Sequence, residues 1–172
     1  MNETLSNLKT RRSIRSYQSR QVERALLDQV LEAGTYAPTA GGRQSPVIVA
    51  VQDAETVKQL SRMNAAVNGN QSDPFYGAPT VLVVLASRAR ATYLLDGAAV
   101  ITTLLNAAHA LGLGSCWVHR AKEEFESEEG KALLKKWGVA GDYEGVGHVA
   151  LGYAAGEAPE PAPRKADYIV RA

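Results

Sequence analysis

The sequence predicts a mixed fold of helices and strands in which a sheet is covered on both faces. Three observations carry this. Residues 81–85 are an uninterrupted aliphatic run, and a strand that is apolar at every position leaves neither face for water. Residues 93–111 hold few charges and many Ala and Leu, which predicts a long, central, buried helix. Further strand candidates at 47–51, 115–119 and 145–153 alternate with helical segments. The 172 residues suit a single domain, 1–172, with a sizeable core.

Taken in order, a short helix is expected over residues 4–10. It leads into Arg11-Arg12-Ser13-Ile14-Arg15, where three guanidinium groups and a hydroxyl fall within five residues. The planar guanidinium fork matches phosphate oxygens and keeps its charge at physiological pH. The stretch reads either as a solvated basic turn or as an anion site. A second basic pair, Arg164-Lys165, favours a site where both ends of the chain meet over one phosphorylated ligand. Residues 22–32 predict a helix, because Val22, Leu26, Leu27, Val30 and Leu31 recur at three- and four-residue spacing, with Gly34 as its stop. Residues 36–46 are too rich in Gly, Pro and small side chains for a regular element. They form either a plain connector or a loop whose backbone approaches a flat ligand, with Thr39 and Gln44 offering hydrogen bonds.

The β-branched run 47–51 predicts a buried strand. Residues 54–63 predict a helix with Val57, Leu60 and Met63 on one side. Residues 64–78 read as a loop, with Asn68, Gly69, Asn70, Asp73, Pro74 and Gly77, in which Phe75 and Tyr76 are anchors. Asp96 and His109 are the polar exceptions of the long helix, and a lone histidine there is first read as hydrogen-bonded structure. Gly112 and Gly114 end that helix and open the next strand. Residues 123–137 place Glu ahead of Lys and predict an amphipathic helix with a solvated face. Past residue 153, Pro159, Pro161 and Pro163 force an extended path toward Arg164.

Net charge is +1, so no global field favours nucleic acid or an acidic membrane. The basic excess near the N-terminus is too localised for a nucleic-acid surface. The single cysteine, Cys116, permits no intrachain disulfide. With no apolar run of about eighteen residues and no signal-peptide core, a cytoplasmic protein is expected.

Several chemistries are missing. Gly145, Gly147 and Ala150 match the dinucleotide-binding spacing but lie inside a strand-like run, not between a strand and a helix start, so the match is rejected. There is no phosphate loop ending in Gly-Lys-Ser/Thr and no Gly-x-Ser-x-Gly elbow. His109, His119 and His148 lack zinc-ligand spacing, so no metal site is expected. Cys116 lies in an apolar strand with no base beside it and reads as structural. Anion-binding arginines and a small-residue loop, without a nucleophile or metal centre, point to a bound cofactor that carries the reaction.

The basic cluster 11–15, the loop 36–46, the segment 112–118 and residues 147–153 followed by Pro163-Arg164-Lys165 occur in an order that resembles the nitroreductase family of FMN-dependent flavoproteins. The resemblance spans nearly the whole chain. It implies an α+β, nitroreductase-like fold, with a central mixed β-sheet flanked by helices and a domain-swapped C-terminal tail. It also implies a homodimer with FMN at the subunit interface, and NADH or NADPH as electron donor. By position, Arg11, Arg12, Ser13 and Arg15 would hold the FMN phosphate and ribityl chain, joined by Arg164 and Lys165. Pro38, Thr39, Ala40, Gly42 and Gln44 would come from the other subunit to the isoalloxazine edge. Val118, His119 and Arg120 stand where the family places backbone donors near the reactive flavin nitrogen. The implied activity is ping-pong transfer of reducing equivalents through FMN to a nitroaromatic, quinone or similar acceptor. Dehalogenation, ring cleavage and a non-catalytic FMN-binding module are the alternatives. No catalytic side chain is assigned; His119 is the nearest titratable group. Two departures bear on substrate class: Gly42 stands where the family commonly has Asn, and Ser45-Pro46 where it often has Pro-Trp. The short chain implies a reduced lid over the flavin.

Overall fold

A computed structural model describes residues 2–172. The four strands are β1 (Pro46–Val51), β2 (Thr80–Ser87), β3 (Gly114–Val118) and β4 (Tyr143–Gly152), in the order β1-β2-β4-β3. All three pairings are antiparallel. The mixed character expected of the sheet is confined to one parallel bridge, Ser13 to Ser115.

The apolar run of β2 is fully buried, and its alternation divides two cores. Leu82 and Val84 join Val149 and Leu151 under α2 (Arg24–Thr35) and α4 (Tyr93–Ala110). Val81, Val83 and Leu85 join Cys116, Val118 and Ala150 under α3 (Ala54–Val67), α5 (Ala121–Glu126) and α6 (Glu128–Lys136). The period of two along a strand assigns each side chain to one layer. Helix α1 (Glu3–Thr10) lies against α4, where Asn7 Nδ2 donates to Asn106 O at 3.0 Å.

Five sequence expectations are corrected. The run 47–51 is an edge strand, half-buried over residues 46–49, because β1 pairs on one side only. Helix α2 runs past Gly34 to Thr35. Gly34 is buried there because a Cβ would stand 2.9 Å from Ile48 Cδ1, so it permits the close approach of α4 and β1. Helix α3 continues through Asn64 to Val67, four residues into the expected loop. Segment 123–137 is two helices broken at Ser127, and Glu124 is buried, not solvated. Helix α4 is buried on one face alone: Leu94 and Leu95 are 45% and 72% exposed.

Candidate functional site

The sequence-derived residues fall into four groups. The basic segment crosses the ends of β3 and β4. Ile14 N–H donates to Ser115 O at 3.0 Å, Gln18 N–H to Tyr153 O at 2.9 Å, and Ala155 N–H to Ser16 O at 3.0 Å. Tyr17 OH donates to Ile14 O at 2.8 Å and tightens the turn. Arg12 Nη1 donates to the Lys9 and Arg11 carbonyls, both at 2.8 Å, at the C-terminal end of α1. That leaves Arg12 Nε, together with Arg11 Nη1, buried with no partner. Buried charged donors without acceptors are costly, and an anion seated here would remove that cost. Ser13, Arg15, Ser16, Glu157 and Pro159 line a neighbouring cavity of about 360 Å³.

His109 lies beside this cluster, its Nε2 2.9 Å from Thr10 Oγ1. Burial, and then the Arg11 and Arg12 charges, hold it below the ordinary histidine range. It is a structural hydrogen-bonding group, as the sequence suggested.

The second group is the loop before β1. Thr39 Oγ1 accepts from Gln44 N–H at 3.0 Å, and Ala40–Gly42 form one tight turn. Gly41, Gly42 and Gln44 all have positive φ, and a Cβ at Gly42 would meet nothing within 4 Å. Asp96, buried in the first turn of α4, accepts from Ala40 N–H at 3.0 Å and Ser45 Oγ at 3.1 Å. The sequence marked Asp96 only as a polar exception; its role as the loop's clamp needed the fold. Pro38 is exposed. Thr39 and Gln44 line a cavity of about 330 Å³ shared with Gly34, Ile48 and Val100.

The third group follows β3. Val118 is buried, His119 is exposed and Arg120 is left-handed at φ 75°. Residues 115 to 118 span about 10 Å of strand, so the basic segment and residues 118–120 flank the two ends of one short element. The loop of the same chain is elsewhere: β1 and β3 are opposite edges of the sheet, about 14 Å apart across three strand spacings. Nor does the fourth group join the basic cluster within the chain. Arg164 donates only to Ala162 O, and Lys165 pairs with Asp167 over the Tyr168 ring. Residues 155–172 are exposed throughout.

Sequence reasoning missed a buried polar cluster behind residues 118–120. Asn64, fully buried on α3, donates through Nδ2 to His119 O and Glu124 Oε2, both at 2.7 Å. Its Oδ1 accepts from Arg120 Nε at 3.0 Å. Glu124 Oε2 lies 3.1 Å from His148 Nε2. His148 is packed between Phe75 and Phe125, at ring distances of 5.3 and 6.2 Å. Burial pushes the Glu124 carboxyl up to about 8 and His148 down to about 3. The available signal was Asn64 and Glu124 at helical positions facing inward, but a polar residue at such a position reads as surface until its neighbours are known.

These shifts predict a stability plateau with two limbs. The folded protein keeps the Glu124 proton that the unfolded chain releases above 4.5, so stability is lost as pH rises from there to about 8. The unfolded chain takes a proton on His148 below 6.5 that the folded one refuses, so stability is lost as pH falls toward 3. The two oppose each other between 4.5 and 6.5, leaving an alkaline limb above and an acid limb below. Urea titrations should show an alkaline slope of up to about 1.4 kcal/mol per pH unit. Glu124→Gln should flatten it; an unchanged slope would assign it to another group.

Among the described residues, no helix is long and apolar enough to cross a membrane.

The Nitroreductase family profile matches residues 8–73 and 64–153. A protein of Archaeoglobus fulgidus, provisionally named an NADH dehydrogenase/NAD(P)H nitroreductase, is 33% identical over 158 residues, 89% of this chain and 86% of that protein. The crystal structure of a nitroreductase with bound FMN from Bacteroides fragilis superposes with a TM-score of 0.91 over 100% of both chains, at 29% identity. A nitroreductase with bound FMN from Desulfitobacterium hafniense superposes at 0.87, with 26% identity, over 100% of this chain and 99% of that one. Carried by a profile match over most of its length and by a relative at one-third identity, the chain belongs to the nitroreductase family.

Proposed function

We propose that this protein is an FMN-dependent NAD(P)H oxidoreductase that works as a homodimer with FMN at the subunit interface. The observation that carries the reading is the pair of buried, unpartnered guanidinium donors, Arg11 Nη1 and Arg12 Nε, on a segment hydrogen-bonded to the sheet. They fit a phosphate, which accepts several charge-assisted hydrogen bonds at once. Ser13 and Arg15 extend the same polar surface along the cavity toward the start of the tail. At the far end of β3, the main chain of residues 118–120 is held in a fixed turn and can present N–H groups to the edge of a flat ring.

Bound FMN would supply the redox chemistry, taking a hydride from NADH or NADPH and passing electrons to a nitroaromatic, quinone or similar acceptor in a ping-pong cycle. The protein's residues position and polarise; no side chain is needed as acid or base.

The dimer is supported by surfaces one chain leaves uncovered. These are the Leu94–Leu95 face of α4, Leu5 and Leu8 on α1, and the half-buried edge strand β1. The tail carries Tyr168, Ile169 and Val170 at 72–85% exposure and is free to reach a partner, bringing Arg164 and Lys165 with it. A second copy would also bring Pro38, Thr39, Ala40, Gly42 and Gln44 to the site from across the interface. A lone buried thiol, Cys116, suits a reducing cytoplasm.

The test is the visible spectrum of the purified protein, with light scattering for mass. A yellow dimer bleached anaerobically by NADH or NADPH is expected. A colourless monomer that takes up no FMN in excess would overturn the reading.

A further inference from the structure

The left-handed residue after β3 is held from three directions. Arg120 is one of three non-glycine residues with positive φ among the described residues, and its backbone opens α5 as the N-cap without a side-chain cap of its own. An L residue with a Cβ is strained in that region and persists there only when its surroundings over-determine it. Those surroundings come from three elements. Asn64 on α3 grips both sides of the turn, accepting from Arg120 Nε and donating to the carbonyl of His119. Glu124 on α5 accepts the other Asn64 N–H, and its own main-chain N–H donates to Arg120 O at 3.1 Å. His148 on β4 pairs in register with Val118 and sets its ring against the Glu124 carboxyl. Gly145 brings β4 close beneath the start of α5, since a Cβ there would stand 2.8 Å from that of Ala121.

The side chains of Asn64, Glu124 and His148 are buried, and that of Arg120 is half-buried at their outer rim. The acid retains its proton and the imidazole does not, so Glu124 and His148 form a neutral pair that needs no counter-ion. The cluster therefore costs less to bury than an ion pair would.

We propose that Asn64, backed by Glu124 and His148, is a positioning unit that holds the His119–Arg120 peptide in its left-handed turn and so fixes the direction in which the main-chain N–H groups there meet the flavin. The second half of this statement rests on the FMN reading above; the first half concerns the chain alone. None of the three side chains is a catalytic residue. Their effect passes through the backbone of residues 118–120. A donor at a flavin nitrogen binds the oxidised and reduced ring unequally, so its misplacement changes the redox potential more than the affinity, most of which the arginines supply.

The experiment is Asn64→Ala, read in two arms. Amide hydrogen exchange on the FMN-free protein should accelerate about tenfold or more at Glu124, whose main-chain N–H donates to Arg120 O across the turn, while β2 stays protected. With FMN loaded, the ratio of affinities for oxidised and reduced flavin should change about tenfold, which is about 30 mV for a two-electron couple. Asn64→Asp, which keeps the acceptor for Arg120 Nε, should recover part of both changes. If Asn64→Ala does not fold, Arg120→Ala removes one bond of the cluster at a half-buried position and is read in the same arms. Wild-type exchange at the Glu124 amide in a folded variant overturns the positioning role. Faster exchange with an unchanged potential overturns its link to the flavin. A wild-type protein that binds no FMN defeats the functional reading and leaves the exchange arm to decide the rest.

Discussion

Arg11→Ala/Arg12→Ala should purify without flavin and bind added FMN about 10²–10⁴-fold more weakly than the unchanged protein. Each charge-assisted contact to a phosphate contributes about 1.5–3 kcal/mol, and two are removed. The same variant should fold almost as well as the parent. Arg11 Nη1 and Arg12 Nε have no partner in the chain, so deleting them also deletes a desolvation cost. Against this stands the loss of the Arg12 Nη1 bonds to the Lys9 and Arg11 carbonyls, of about 1 kcal/mol. FMN titration by fluorescence quenching, set beside a thermal scan of the FMN-free protein, separates the two effects. A double variant that remains fully yellow would remove the phosphate assignment, because a structural role for these arginines predicts lost stability with retained colour.

Gly130→Ala should destabilise the protein by about 3 kcal/mol, lowering Tm by about 6–12 °C. Helix propensity alone gives the opposite sign, since Ala is favoured over Gly in a helix by about 1 kcal/mol. Packing decides. The break between α5 and α6 is tight: Ser127 Oγ donates to Glu124 O at 2.6 Å and accepts from Gly130 N–H at 3.0 Å. A Cβ on residue 130 would fall inside the van der Waals shell of Glu124 O and stand 2.6 Å from Phe125 Cα. Both obstacles are backbone, so a side chain cannot simply turn aside. The shift would also reach Glu124 and through it the turn at Arg120. Chemical denaturation of the purified variant checks the magnitude. A gain in stability would mean that the α5–α6 corner is looser than its geometry implies.

Long apolar patterns were readable without coordinates. The run in β2, the length of α4, the glycine-bounded strand β3 and the exposed proline-rich tail are where the sequence expected them. The errors lie where a polar residue is buried or an apolar one is not. Asn64 looked like the beginning of a loop, because burial of an amide is tolerated only when all its neighbours are suitable, and those neighbours sit about sixty residues away on α5. Glu124 looked solvated for the same reason. Val47 and Val49 looked buried, yet strand order leaves them on an edge, and order is not written in local composition.

Local chemistry and periodicity by themselves determined that this chain has helices on both sides of a sheet, a concentrated set of guanidinium groups near one end and no self-sufficient nucleophile. They also carried the family resemblance, since that is a matter of residue types in order along the chain. Only the tertiary structure decided which donors are left without acceptors, that Asp96 clamps the small-residue loop, and that Asn64, Glu124 and His148 stand behind the turn at Arg120. Those facts depend on distances between segments far apart in the chain. Burial converts each such distance into an energy, and burial exists only once the chain is packed.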